Sequence, residues 1–152
     1  MFEFMLTSGC RVSEIVSLNR ADINSENRTA RVTGKGSKIR EVHFSEKCAL
    51  LLERYLAFRS DDYEALFIKV NGERLTTRRV QYIIASIGEE ADLNTSLHPH
   101  RLRHTFATEL LSKGAELSFI ADELGHASLS TTQIYARLPN REIITLYRKY
   151  MG

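Results

Sequence analysis

Residues 124–135 read Leu124-Gly125-His126-Ala127-Ser128-Leu129-Ser130-Thr131-Thr132-Gln133-Ile134-Tyr135, and the run His100-Arg101-Leu102-Arg103-His104 stands upstream of them. Gly125 ends one helix, and Ser130 starts a short second one that carries Tyr135 and is broken by Pro139. A tyrosine hydroxyl has a pKa of about 10, so at neutral pH it is a poor nucleophile unless its surroundings stabilise the oxyanion. Two arginines, a lysine and two histidines along the same chain are residue types that do this around a phosphate.

Working back from that stretch, Glu116 to Leu124 reads as a helix, and Pro99 begins another that stops at Gly114. At about 100° per residue, Leu102, Phe106, Ala107, Leu110 and Leu111 define a broad apolar face on the helix after Pro99, with Thr105, Glu109 and Ser112 pointing away. His100 and Arg103 fall within that face. An arginine there is costly unless it is paired or serves a ligand; the plain alternative is a buried ion pair beside a histidine satisfied by a backbone carbonyl. His100 and His104 also have the spacing of a helical metal pair. No glutamate lies between them, no third ligand motif follows, and Arg101 and Arg103 would repel a divalent cation, so no metal site is expected.

The remaining chain predicts a single α+β domain, mainly helical, with one small sheet. Phe2 to Leu6 is the tail of an apolar helix that stops at Gly9, and a short helix follows from about Arg11 to Leu18. Residues 29–33 and 39–44 are strand-like and flank Gly34-Lys35-Gly36-Ser37, a hairpin signal. Ser45 caps a helix to about Arg59; Ala65 to Val70 reads as a short strand before the turn Asn71-Gly72; and Thr76 or Thr77 opens a helix to about Ala91. The last helix, about 141–150, carries Ile143, Ile144, Leu146 and Tyr147.

Composition narrows the classes without choosing among them. With 152 residues and 43% hydrophobic content, the chain can bury a core. No apolar run approaches the roughly 20 residues that span a bilayer, and Phe2 to Leu6 lacks the basic flank of a secretory signal. Cys10 and Cys48 form neither a disulfide framework nor a metal-type pair, which fits a reduced cytoplasmic setting. The net charge of +2 is weak evidence for an anionic partner, but its distribution says more. Arg28, Arg31, Lys35, Lys38 and Arg40 follow one another with no acidic residue between them, against the plain alternative of a solvated charged surface. Fifteen arginines to six lysines suit bidentate phosphate contacts.

Arg11 lies in Thr7-Ser8-Gly9-Cys10-Arg11-Val12-Ser13-Glu14, just after a glycine turn, and Glu14 sits one helical turn on, placed to hold it. Taken alone, this is an ordinary helix start, and Gly34-Lys35-Gly36 is an ordinary hairpin tip. Taken in order, Arg11, Glu14, Lys35, His100, Arg103, His126 and Tyr135 resemble the tyrosine recombinases, the phage-integrase and Xer-like enzymes. That pattern is an arginine after a T/S-G turn, an acidic residue three later, and a lysine at a Gly-Lys-Gly hairpin. H-x-x-R follows, then a histidine after L-G and a tyrosine nine residues beyond it. The framing run His100-Arg101-Leu102-Arg103-His104-Thr105-Phe106-Ala107-Thr108 fits as well.

The resemblance implies the catalytic fold of that family, with a small three-stranded antiparallel sheet, and cleavage and rejoining of double-stranded DNA through a 3′-phosphotyrosine at Tyr135. Arg11 and Arg103 would clamp the non-bridging oxygens, His100 and His126 would add donors, Lys35 would protonate the leaving oxygen, and Glu14 would support Arg11. His100 would act either as base for the tyrosine proton or electrostatically. No cofactor is implied, and neither a membrane nor a small-molecule substrate. Arg28, Arg31, Lys38, Arg40, Arg74, Arg78, Arg79 and Arg101 are candidate DNA contacts. A type IB topoisomerase-like or resolving enzyme, and a DNA-binding fragment that does not cut, share much of the same pattern. Family members carry a further N-terminal domain; with ten residues before Arg11, residues 1–152 are expected to be the catalytic domain without it. The expected assembly is a monomer in isolation and a homotetramer on DNA, its final helix docking on a neighbour or folding back. The expected setting is the nucleoid of a prokaryote, or a phage or mobile element.

Overall fold

The computed structural model describes residues 1–126 together with Arg148 and Met151, and the chain divides into two compact units, Met1–Phe106 and Ala107–Gly152. In the first unit, helix α1 (Phe2–Ser8) buries Phe4 and Met5 and stops at Gly9, whose φ of 64° is left-handed. A Cβ at Gly9 would lie 2.3 Å from Cδ1 of Phe106, so the position demands glycine both for its backbone angle and for its space. The chain then turns through Cys10 into α2 (Val12–Ser17).

A three-stranded antiparallel sheet follows in the order β1 (Ile23–Asn24), β2 (Thr29–Thr33), β3 (Ile39–His43). Strand alternation sends Ala30 and Val32 inward, and their partners across the ladder, Val42 and Arg40, share that face. Ser45 caps α3 (Glu46–Phe58), accepting the Cys48 N–H at 3.1 Å. Thr76 does the same for α4 (Thr77–Glu90), accepting the Arg79 N–H at 3.2 Å. The core is built from α1, α2, the sheet, α3 and α4. Phe4 lies 5.3 Å from Phe44 and 6.2 Å from Phe67, centroid to centroid, and Ile15, Val32, Val42, Leu66, Val80 and Ile84 are buried around these rings.

The stretch from Ala65 to Val70 departs from the expected strand. It makes single bridges, Asn19 with Ala65 and Ile68 with Arg74, and the third strand of the sheet is Ile23–Asn24 instead. The reason lies in its carbonyls. The Arg59 guanidinium donates to Ala65 O at 3.1 Å and Leu66 O at 3.0 Å, taking acceptors that a ladder would use. Asp61 in turn receives two bonds of 2.6 Å from Arg59, which holds its carboxyl well below the usual range.

Helix α5 (Pro99–Ser112) runs across the boundary between the units. In the second unit, α6 (Leu117–Leu124) buries Ile120, Ala121 and Leu124 and ends at Gly125. The expected helix from Ser130 with Tyr135, the break at Pro139 and nearly all of the last helix lie outside the described residues; Arg148 and Met151 are helical and exposed. Among the described residues, no helix is long and apolar enough to cross a membrane.

Candidate active site

Three devices in the first unit carry candidate cations, two of them at the turn Gly9-Cys10-Arg11. The first is Arg11 itself, the N-cap of α2. Its backbone N–H donates to Glu14 Oε2 at 2.8 Å, and its Nη1 lies 3.3 Å from Glu14 Oε1. The (i, i+3) spacing brings the carboxylate back over the first turn of the helix. The Arg11 side chain is 40% exposed while that of Glu14 is wholly buried, so one carboxylate holds the arginine from beneath and leaves it open to solvent above.

The second device is Arg103. It sits on α5 with only 5% of its surface exposed, and its Nη1 donates to the carbonyl oxygen of Gly9. Ninety-four residues separate the two in sequence. That bond anchors a buried guanidinium two residues from Arg11. Cys10 lies between them, and burial pushes its thiol up to about 12, with Glu14, Arg40 and Arg103 close enough to bear on it electrostatically.

The third is the hairpin. Lys35 stands at its exposed tip in a single turn of 3-10 helix, Lys35–Ser37. Gly36 inside that turn has φ 70°, and nothing lies within 4 Å of where its Cβ would be. The loop is closed by the Gly34 N–H donating to Lys38 O at 2.7 Å.

The other candidates divide. His100, in the first turn of α5, is exposed rather than on the buried face, and its ring stacks parallel to that of His98 at 6.4 Å. Pro99, Leu102 and Phe106 are buried along α5, and of the His100–Arg103 pair only Arg103 is buried with them. His126, in the second unit, is half-buried just after Gly125, with its N–H donating to Ala121 O at 2.9 Å. Tyr135 lies outside the described residues.

Among the candidate DNA contacts, Arg28, Arg31, Lys38, Arg78, Arg79 and Arg101 are exposed. Arg79 lies over the Tyr82 ring at 5.0 Å, and Arg101 donates to the Thr95 hydroxyl. Arg74 and Arg40 are engaged in the interior instead. Arg74 Nη1 donates to the carbonyls of Val16 and Leu18, each at 3.0 Å, and its Nη2 to Asn19 Oδ1. Arg40, with 16% of its side chain exposed, places Nη2 2.9 Å from Glu14 Oε2. A signal for Arg40 existed in the sequence: it lies two residues before the inward Val42 and so shares its face. Nothing local in the sequence marks Arg74, whose partners lie 55 to 58 residues away.

Comparison with known proteins gives a consistent picture. The sequence model of the phage integrase family matches residues 1–142. A tyrosine recombinase XerC of Leptospira interrogans is 39% identical over 152 residues, covering 98% of this chain and 49% of that protein. The XerC of Staphylococcus saprophyticus is 36% identical over 151 residues, 97% of this chain and 51% of the other. The crystal structure of XerA recombinase superposes with a TM-score of 0.88 at 32% identity, covering 97% of this chain and 56% of that one. XerH, in a post-cleavage complex with its palindromic difH substrate, superposes with a TM-score of 0.81 at 27% identity, covering 99% and 45%. The chain spans about half the length of the curated relatives it matches.

Proposed function

Since the chain belongs to the phage integrase family, we propose that it is the catalytic part of a site-specific DNA recombinase, cutting and rejoining DNA through a phosphotyrosine. One observation carries this reading: Arg103 is anchored on the carbonyl of Gly9 while Glu14 fixes Arg11 two residues later, which brings two guanidinium groups to one turn.

Attack on a DNA phosphodiester puts extra negative charge on the two non-bridging oxygens, and planar guanidinium groups suit that charge. Arg11 meets it from the solvent-open side and Arg103 from its anchored position. The Tyr135 oxygen bonds to phosphorus, the P–O5′ bond breaks, and Lys35 gives its proton to the departing 5′ oxygen. The tyrosine proton passes to His100 or to solvent, and His100 and His126 add donors around the phosphate. The tyrosyl ester keeps the phosphoryl group activated, so a 5′ hydroxyl displaces it in the reverse step without ATP. Arg28, Arg31, Lys38, Arg78, Arg79 and Arg101 face solvent, as phosphate contacts along a duplex must. The protein acts as a monomer in solution and as a homotetramer on paired DNA sites, in the nucleoid of the cell that carries it.

The test is covalent trapping on labelled, nicked duplexes in EDTA, resolved on a denaturing gel beside Tyr135→Phe. A retarded band that requires Tyr135 is expected. A band that persists in Tyr135→Phe refutes the assignment of the nucleophile.

A further inference from the structure

We propose that Arg40 is a positioning residue: through the buried Glu14 carboxylate it ties the hairpin that carries Lys35 to the Arg11 end of α2, so the two cations keep a fixed relative placement. The kinetic part of this inference rests on the reading of Lys35 as general acid; the structural tie does not.

Arg40 pairs with Val32 across the ladder, next to the turn that Gly34 and Lys38 close. Its guanidinium points to the inner face and meets Glu14, 26 residues earlier in sequence. Glu14 Oε2 accepts both Arg40 Nη2 at 2.9 Å and the Arg11 N–H at 2.8 Å. Glu14 Oε1 faces Arg11 Nη1 at 3.3 Å and lies 3.3 Å from where a Cβ of Gly34 would stand. One carboxylate therefore touches the catalytic arginine, the strand leading out of the hairpin, and the root of the hairpin turn. The Lys35 tip is exposed and open around Gly36, so its direction is governed at that root.

A buried carboxylate that loses one of two cationic partners becomes under-compensated and draws on the one that remains. Without Arg40, Glu14 turns towards Arg11 and releases the hairpin root. An arginine that merely neutralised Glu14 for stability would produce no selective effect at the turn, and an arginine on DNA would not be turned inward.

Amide hydrogen exchange on the chain, wild type against Arg40→Gln, tests the tie directly. Exchange at Gly34 is expected to rise by tenfold or more, with Arg11, whose N–H stays on Glu14, and Ala30 and Val42 on the same ladder showing no rise. A uniform rise across the sheet, or none at Gly34, overturns the proposal. If the glutamine variant does not fold, Arg40→Lys takes its place; it keeps a cation facing Glu14 and should raise exchange at Gly34 by less.

The kinetic arm uses a nicked duplex in which sulfur replaces the bridging 5′ oxygen at the scissile phosphate. A thiolate leaves without needing a proton, since a thiol has a pKa near about 8.5. Lys35→Ala should lose at least tenfold on the oxygen substrate and little on the sulfur one, and Arg40→Gln should follow the same pattern. Equal losses of Arg40→Gln on both substrates, with Lys35→Ala rescued, overturn the positioning role. If sulfur does not rescue Lys35→Ala, or if the wild-type chain cuts neither substrate, the functional reading falls, and the exchange data alone decide the tie.

Discussion

Replacing Gly9 by alanine should destabilise the first unit through two separable effects, and the geometry allows each to be sized. The backbone at Gly9 sits at φ 64°, where an L side chain costs about 1 kcal/mol. The added Cβ would also meet Phe106 Cδ1 at 2.3 Å and Cε1 at 2.7 Å. Phe106 is 8% exposed, so its ring has little room to retreat, and overpacking of this kind costs about 1–3 kcal/mol. The expected total is about 2–4 kcal/mol. With a urea m-value of about 2 kcal/mol/M for a protein of this size, the midpoint should fall by about 1–2 M by circular dichroism. A double-mutant cycle isolates the second effect. Phe106→Leu removes the ring edge that the new methyl strikes, so Gly9→Ala should cost less by at least about 1 kcal/mol in the leucine background. Additive losses in the cycle would refute the clash, and a loss under about 0.5 kcal/mol for Gly9→Ala alone would refute the whole argument.

Other expectations follow from the same contacts. Arg59→Ala leaves the Ala65 and Leu66 carbonyls without their side-chain donor, and should cost about 1–3 kcal/mol in chemical denaturation. The Cys10 thiol is raised by burial from its ordinary value to about 12, so the folded state keeps it protonated while the unfolded chain ionises from about pH 9 upward. Its stability contribution is therefore complete below pH 9 and is lost as pH rises, by up to about 1.4 kcal/mol per pH unit. Cys10→Ala should lack that part of the alkaline slope in pH-dependent melting. Arg74→Ala should lower stability with little change in the salt dependence of DNA binding. Arg31→Ala should do the reverse, flattening the log–log salt slope by about one unit in fluorescence anisotropy.

What the sequence disclosed tracks the range of the interactions involved. The Arg11–Glu14 ion pair follows from helical spacing, the hairpin from two β-rich runs about a glycine-lysine-glycine tip, and the caps at Ser45 and Thr76 from side-chain chemistry. These are contacts within a few residues. The partner of Arg103 is a carbonyl at the other end of the unit, and no local rule points to it. Periodicity placed His100 on the apolar face of α5, but the face that packs runs through Pro99, Leu102, Arg103 and Phe106 and leaves His100 exposed. The stretch from Ala65 looked like a strand because its residues suit one, yet Arg59 takes its carbonyls. Arginine off an apolar face reads as surface charge in a sequence, and Arg40, Arg59 and Arg74 show that it also serves the interior wherever carbonyls or carboxylates converge.

The bond from Arg103 to Gly9 also has a bearing on time. It closes a loop of more than ninety residues, and loop closure of that length is among the late and entropically demanding events of folding. Arg11 and its carboxylate assemble within one helical turn, early and cheaply; the second guanidinium joins only when nearly the whole unit has been synthesised and collapsed. A nascent or partly unfolded chain therefore holds one arginine of the pair without the other. The distance along the chain between the two arginines alone sets that order.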